Sequence, residues 1–62
     1  MTKKELKILI AKKIEEARER INELDNQMHE AKNEYEKENC DYSISFHSGK
    51  LDTLKVILKL LD

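Results

Sequence analysis

"CDYSISFHSGK", residues 40–50, decides how this chain divides. The stretch holds the only Cys (Cys40), the only Gly (Gly49), one of two His (His47) and two of three aromatics, Tyr42 and Phe46. It carries two competing periods. Tyr42, Ile44 and Phe46 alternate with Ser43, Ser45 and His47, as in a strand. Ile44, His47, Leu51, Leu54, Leu58 and Leu61 step 3, 4, 3, 4, 3, as on one face of a helix. The helical pattern runs longer, and a strand here would have no partner strand. The spacing therefore predicts a helix over about 43–61, with a short extended piece at 42–46 as the alternative. Asn39, Asp41 and Ser43 favour turns and N-caps, because their side chains compete for backbone hydrogen bonds. A turn is expected at about 40–43.

Upstream, Thr2 with Glu5 three residues on forms a capping box. No Gly or Pro follows until Gly49. Ile10, Ile14, Ala17, Ile21, Leu24, Met28, Ala31 and Tyr35 are spaced 4, 3, 4, 3, 4, 3, 4, an unbroken heptad seam. Ile14, Ile21, Met28 and Tyr35 take the a positions, and Ile10, Ala17, Leu24 and Ala31 the d positions. A first helix is thus expected over about 3–39. The alanines at d let a neighbouring helix approach closely. Charged residues fill the flanks, with pairs such as Glu16–Arg20 adding tenths of a kcal/mol. Downstream, "LDTLKVILKLL" (51–61) is apolar nearly all round, which implies burial on more than one side. Gly49 inside the second helix costs roughly 1 kcal/mol against Ala. Close packing on the first helix near Ala31 is the expected reason, and backbone access for a ligand the alternative.

These elements predict an all-α fold: one domain, residues 1–62, built as an antiparallel, coiled-coil-like helical hairpin. The first helix would span roughly 36 residues and 54 Å, the second roughly 19 residues and 28 Å. So short a second helix leaves Leu6, Ile8, Leu9, Ile10, Ile14 and Ala17 uncovered, too large a patch for a stable monomer. A homodimer forming a four-helix bundle is the expected remedy. Ile10, Ile14, Ala17, Ile21, Leu24, Met28, Leu54, Leu58 and Leu61 are its expected self-association residues. Charge segregation points the same way: net +4 over 1–13, −6 over 14–41 and +1 over 42–62 favours antiparallel pairing of copies, weakly and salt-dependently.

Composition narrows the class. With 62 residues, 40% charged, no Pro and one Gly, the chain reads as a coiled coil or helical bundle that is marginal alone. One Cys makes no internal disulfide, which suggests a reducing, cytoplasmic setting. "LKILIAKKI" (6–14) is too short and too often interrupted by Lys to span a membrane or head a signal peptide. Cys40, Asp41, His47 and His29 show no CxxC or HxxxH spacing, so neither metal nor cofactor is expected. Cys40 or a serine beside His47 lacks a third group to orient the base. "SGK" (48–50) lacks the upstream glycine of a phosphate-binding loop. The chain is expected not to be an enzyme. Lys3, Lys4, Lys7, Lys12 and Lys13 could meet phosphate, but Asn and Gln lie in the acidic part of the first helix, which argues against nucleic acid. Tyr35, Tyr42, Phe46 and His47 bracket the expected hairpin tip. They are read either as a plug for the bundle end or as a contact for a protein partner or a small ligand.

Two resemblances attach to these residues. Around "SGKLDTL", Ser48, Leu51 and Asp52 match the Ser-Gln-Glu-Leu-Asp motif of the small sporulation-regulator phosphatases of bacilli, which are helical hairpins of similar length. Gly49 and Lys50 stand where that family has Gln and Glu, and the expected first helix is longer. The resemblance implies an aspartyl-phosphate phosphatase with Asp52 as the residue at stake. "FHSGKLDTLKVILKLL" (46–61), after a Glu/Lys-rich helix, resembles the small hairpin proteins of phages and mobile elements in low-GC Gram-positive bacteria. That resemblance implies a protein that binds and disables or redirects a host protein. The expectation is a small non-enzymatic regulator or inhibitor acting by helix-mediated protein–protein interaction. A phosphatase and a nucleic-acid binder are the alternatives.

Overall fold

Thr2 caps the first helix: its hydroxyl accepts from the Glu5 backbone N–H at 3.1 Å. From there α1 runs Lys3–Glu30 in the computed structural model, which describes all of residues 1–62. The chain then turns within three residues. Ala31 leaves the helix with φ −63° and ψ 136°. The Asn33 side-chain oxygen accepts from the Glu36 N–H at 2.8 Å, and the Glu36 carboxylate accepts from the Lys32 N–H at 3.1 Å. This reciprocal cap launches α2, Glu34–Leu61. Glu34 and Glu36 in its first turn suit the positive end of the helix dipole. No residue of the chain has positive φ, so this loop needs no glycine.

The fold class expected from sequence holds as an all-α hairpin, but its division is corrected. Both helices have 28 residues, and the loop lies at 31–33 rather than at 40–43. Residues 40–50 are helical throughout, so neither the turn nor the extended piece at 42–46 occurs. Asn39, Asp41 and Ser43 sit inside α2, where helix continuity outweighs their local preference for turns. The molecule is a rod of 47 × 14 × 14 Å.

The physical reason for the shift is coverage. Ile10, Ile14, Ala17 and Leu51 form the buried cluster, with Leu6, Ile21, Leu54, Leu58 and Leu61 packed against it. Leu24, 4% exposed, is the most buried side chain. Each large apolar side chain taken fully out of water is worth about 1.5–3 kcal/mol. A turn at residue 40 leaves the N-terminal third of α1 bare. A turn at 32 sets two helices of equal length side by side and covers it. Of the six residues from whose exposure a dimer is expected, Leu6, Ile10, Ile14 and Ala17 are covered by the chain's own α2, whereas Ile8 and Leu9 stay exposed, at 62% and 39%.

At the open end, the Lys7 ammonium meets the Asp62 carboxylate at 2.6 Å. The hydrogen bond from Lys7, then its charge, holds the Asp62 carboxyl below its usual range. On α1, Arg20 pairs with Glu23 at 3.0 Å, one turn ahead, rather than with Glu16.

Candidate interaction surface

The heptad seams read from sequence are present, but they face each other within one chain. Ile10, Ile14, Ala17 and Leu24 are buried, and Ile21, Leu54, Leu58 and Leu61 are half-buried between the helices. Met28 is half-buried near the loop. These nine residues, expected to hold two copies together, line the inside of a single hairpin. Tyr35 departs from the seam altogether: it lies beyond the loop, on α2, and is 74% exposed.

The aromatic residues are likewise not at a hairpin tip. A residue advances about 100° around an α-helix, so positions seven apart share a face and a step of four or three stays on it. Tyr42, Phe46, Gly49, Thr53, Val56 and Leu60 step 4, 3, 4, 3, 4 along α2. This line runs roughly 180° from Leu51, on the side turned away from α1. Tyr35 stands one heptad before Tyr42, and Ile57 lies beside Val56. Every residue of the line is exposed: Tyr42 78%, Phe46 63%, Val56 58% and Leu60 80%. The Thr53 hydroxyl donates to the Gly49 carbonyl at 3.0 Å, so its polar atom is already paired within the helix. His47 sits apart, half-buried, with its ring edge-on to Phe46 at a centroid distance of 5.3 Å.

Gly49 is also corrected. It does not pack against α1, and Ala31 belongs to the loop. A Cβ built on Gly49 meets nothing within 4 Å. Nothing inside the hairpin accounts for a glycine in the middle of α2.

The corresponding outward line of α1 is ordinary by comparison. Glu5, Leu9, Lys12, Glu16, Glu19 and Glu23 occupy it, all exposed, with Ile8 beside Leu9 as its only other large apolar residue. The outer line of α2 is thus far more apolar than that of α1. The charges flanking the α2 line are divided along its length. Residues 34–41 carry four acids and one Lys, whereas residues 50–61 carry three Lys and one Asp.

No catalytic set converges elsewhere. Cys40 and His47 are both half-buried, but they lie two helical turns apart, about 10 Å along the axis. Ser48 is half-buried, while Asp52, one turn on, is exposed. His29 bonds through Nδ1 to the Asp25 backbone carbonyl at 2.8 Å. No group of three or more His, Cys, Asp or Glu side chains comes together to hold a metal ion. Lys3, Lys4, Lys7, Lys12 and Lys13 are spread around the helix by their spacing, and Lys7 is engaged by Asp62. Two open depressions flank the loop. One, about 380 Å³, is lined by Met28, His29 and Lys37, and the other, about 290 Å³, by Met28, Glu34, Lys37, Glu38 and Asp41. No helix is long and apolar enough to cross a membrane.

Sequence reasoning found Tyr35, Tyr42 and Phe46 but missed the line that joins them to Gly49, Thr53, Val56 and Leu60. The signal was there: the segment after residue 50 is apolar nearly all round, and the 4–3 spacing continues from Tyr42 to Leu60 once residues 40–50 are helical. A turn placed across 40–43 hides it. In comparisons with known proteins, no family model, no curated protein and no solved structure matches the chain.

Proposed function

We propose that this chain is a non-enzymatic binding module that works by helix-mediated contact with another protein chain. The observation that carries this reading is the line of exposed Tyr42, Phe46, Val56 and Leu60 on the outer face of α2, with only Gly49 and Thr53 between its two halves. Soluble monomers rarely leave a contiguous stripe of aromatic and aliphatic side chains open to water, and such stripes mark contact sites. The three aromatics, Tyr35, Tyr42 and Phe46, are of the kind enriched at interaction hot spots. Self-association into a homodimer belongs to this reading, as does a regulatory or inhibitory role of the phage-protein type. In either case the hairpin seam holds the shape and the outer face does the binding.

The test is site-specific photo-cross-linking in expressing cells. A photoreactive phenylalanine analogue at Phe46 should give protein adducts, to a second copy or to another chain. The same group at Glu19, on the charged face of α1, should give none. Equal yields at both positions, or no adduct at Phe46, would refute the reading.

A further inference from the structure

We infer that the outer face of α2 is seated on the same face of a second copy, with the two α2 helices antiparallel and in full overlap. This rests on the reading of that face as a binding surface and names its occupant. The first argument is shape. When two copies of Glu34–Leu61 lie antiparallel end to end, residues whose numbers add to 95 stand level. Phe46 of each copy then stands level with Gly49 of the other, Tyr42 with Thr53, and Tyr35 with Leu60. Each ring in the middle of the face meets a small residue. The space a Cβ of Gly49 would enter is empty in the hairpin and becomes the seat of the second copy's Phe46 ring. The glycine that nothing within the chain explains thereby gains a reason: it admits the ring at the closest approach of the two helices.

The second argument is charge. Residues 34–41 are net −3 and residues 50–61 net +2. Antiparallel overlap lays the acidic segment of each α2 along the lysine-bearing segment of the other, Lys55 and Lys59 included. Parallel overlap would set the two acidic segments side by side. A foreign helix would need both a matching size pattern and a matching charge gradient, whereas this chain supplies both to itself.

The third argument is area. Tyr35, Tyr42 and Phe46 are 74%, 78% and 63% exposed, so at about 150–250 Å² per ring their full cover in two copies removes at most on the order of 1,000 Å² from water, and Val56, Ile57 and Leu60 add to it towards the size of a specific interface. The resulting dimer has its helices ordered α1–α2–α2–α1. It differs from the bundle expected from sequence, in which the seam residues of both helices, Ile10 to Met28 and Leu54 to Leu61, carry the interface. Affinity in the micromolar range is expected for a surface of this size.

Sedimentation equilibrium across a wide concentration range tests the association, with helicity followed by circular dichroism. The wild-type chain should reach a dimer. Val56→Glu should be monomeric throughout with helicity retained. Gly49→Leu adds apolar area and helix propensity, yet it fills the seat of the ring and should weaken the dimer roughly tenfold or more. A Gly49→Leu dimer as tight as wild type would overturn the inference. Orientation is read by disulfide capture in a Cys40→Ser background. A Leu60→Cys chain mixed with a Tyr35→Cys chain should form the mixed disulfide, with neither chain linking to its own kind. Like-with-like disulfides would mean parallel helices. Capture of Leu60→Cys by Tyr42→Cys instead would mean an overlap one heptad short. Either result overturns the inference. So does a wild-type chain that stays monomeric at every concentration, but adducts at Phe46 to a foreign protein would then leave the binding-module reading standing.

Discussion

Replacing Gly49 by alanine tests whether residue 49 lies in the open interior of a helix. Glycine in a helix interior costs roughly 0.8–1.0 kcal/mol against alanine, through the backbone entropy it gives up on folding. Gly49 does not have positive φ, and an added Cβ would meet no atom within 4 Å. The Thr53 hydroxyl bond to the Gly49 carbonyl is untouched by the change. No steric term therefore opposes the entropic one, and Gly49→Ala should stabilise the hairpin by about 1 kcal/mol. For a domain of this size that raises Tm by about 4–8 °C. Thermal unfolding followed by circular dichroism is the assay. It is best run on the Val56→Glu background at low concentration, so that association does not enter. Were Gly49 in a turn with positive φ, alanine would be strained there and Tm would fall. A fall, or no change, would refute the placement of Gly49 within α2.

The loop position is open to a paired test. Asn33→Ala removes the cap of α2 and should cost about 1 kcal/mol in urea unfolding, whereas Asn39→Ala in the helix interior should cost nothing or stabilise slightly; the reverse order would return the turn to residues 40–43. Leu24→Ala, at the most buried side chain, should cost about 2–4 kcal/mol, while the exposed Leu60→Ser should leave monomer stability within about 0.5 kcal/mol. Equal losses at the two sites would mean that Leu60 is buried within the hairpin. The Asp62 carboxyl should titrate below its ordinary range and return to it in Lys7→Gln, as read from its side-chain resonance by NMR. Because the folded value is the lower one, this pair's contribution to stability is full above the unfolded value and is lost as pH falls through the folded value, below about pH 4. An unshifted Asp62 would show that the Lys7 contact is not formed in solution.

Much of this architecture was legible because it is local. The Thr2–Glu5 cap, the 4–3 spacing from Ile10 to Met28 and that from Ile44 to Leu61 each depend on residues within a few turns of one another. They gave the helical class, the hairpin and the residues of its seam. The loop was not legible. "AKN" contains neither Gly nor Pro, and the seam spacing carries on through Ala31 to Tyr35 as though the helix did. Asn33 with Glu36 has the same form as Thr2 with Glu5, but a capping pair within a long charged helix resembles any other polar pair. A turn at 40–43 puts Tyr42 and Phe46 at the hairpin's end and Gly49 against the first helix, and so hides their continuity with Val56 and Leu60.

The sequence by itself determined that two helices form and which line of each is apolar, because helical periodicity is written in neighbouring residues. Only the tertiary structure decided where one helix stops and the other starts. The weak local preferences of Asn39, Asp41 and Ser43 for a turn count for less than covering Leu6, Ile10 and Ile14 with Leu51, Leu54 and Leu58, because burial sums over the whole length of the pair. That choice satisfied the seam of α1 within the chain and left the outer face of α2 open to a partner, with Ile8 and Leu9 the apolar residues of α1 still exposed.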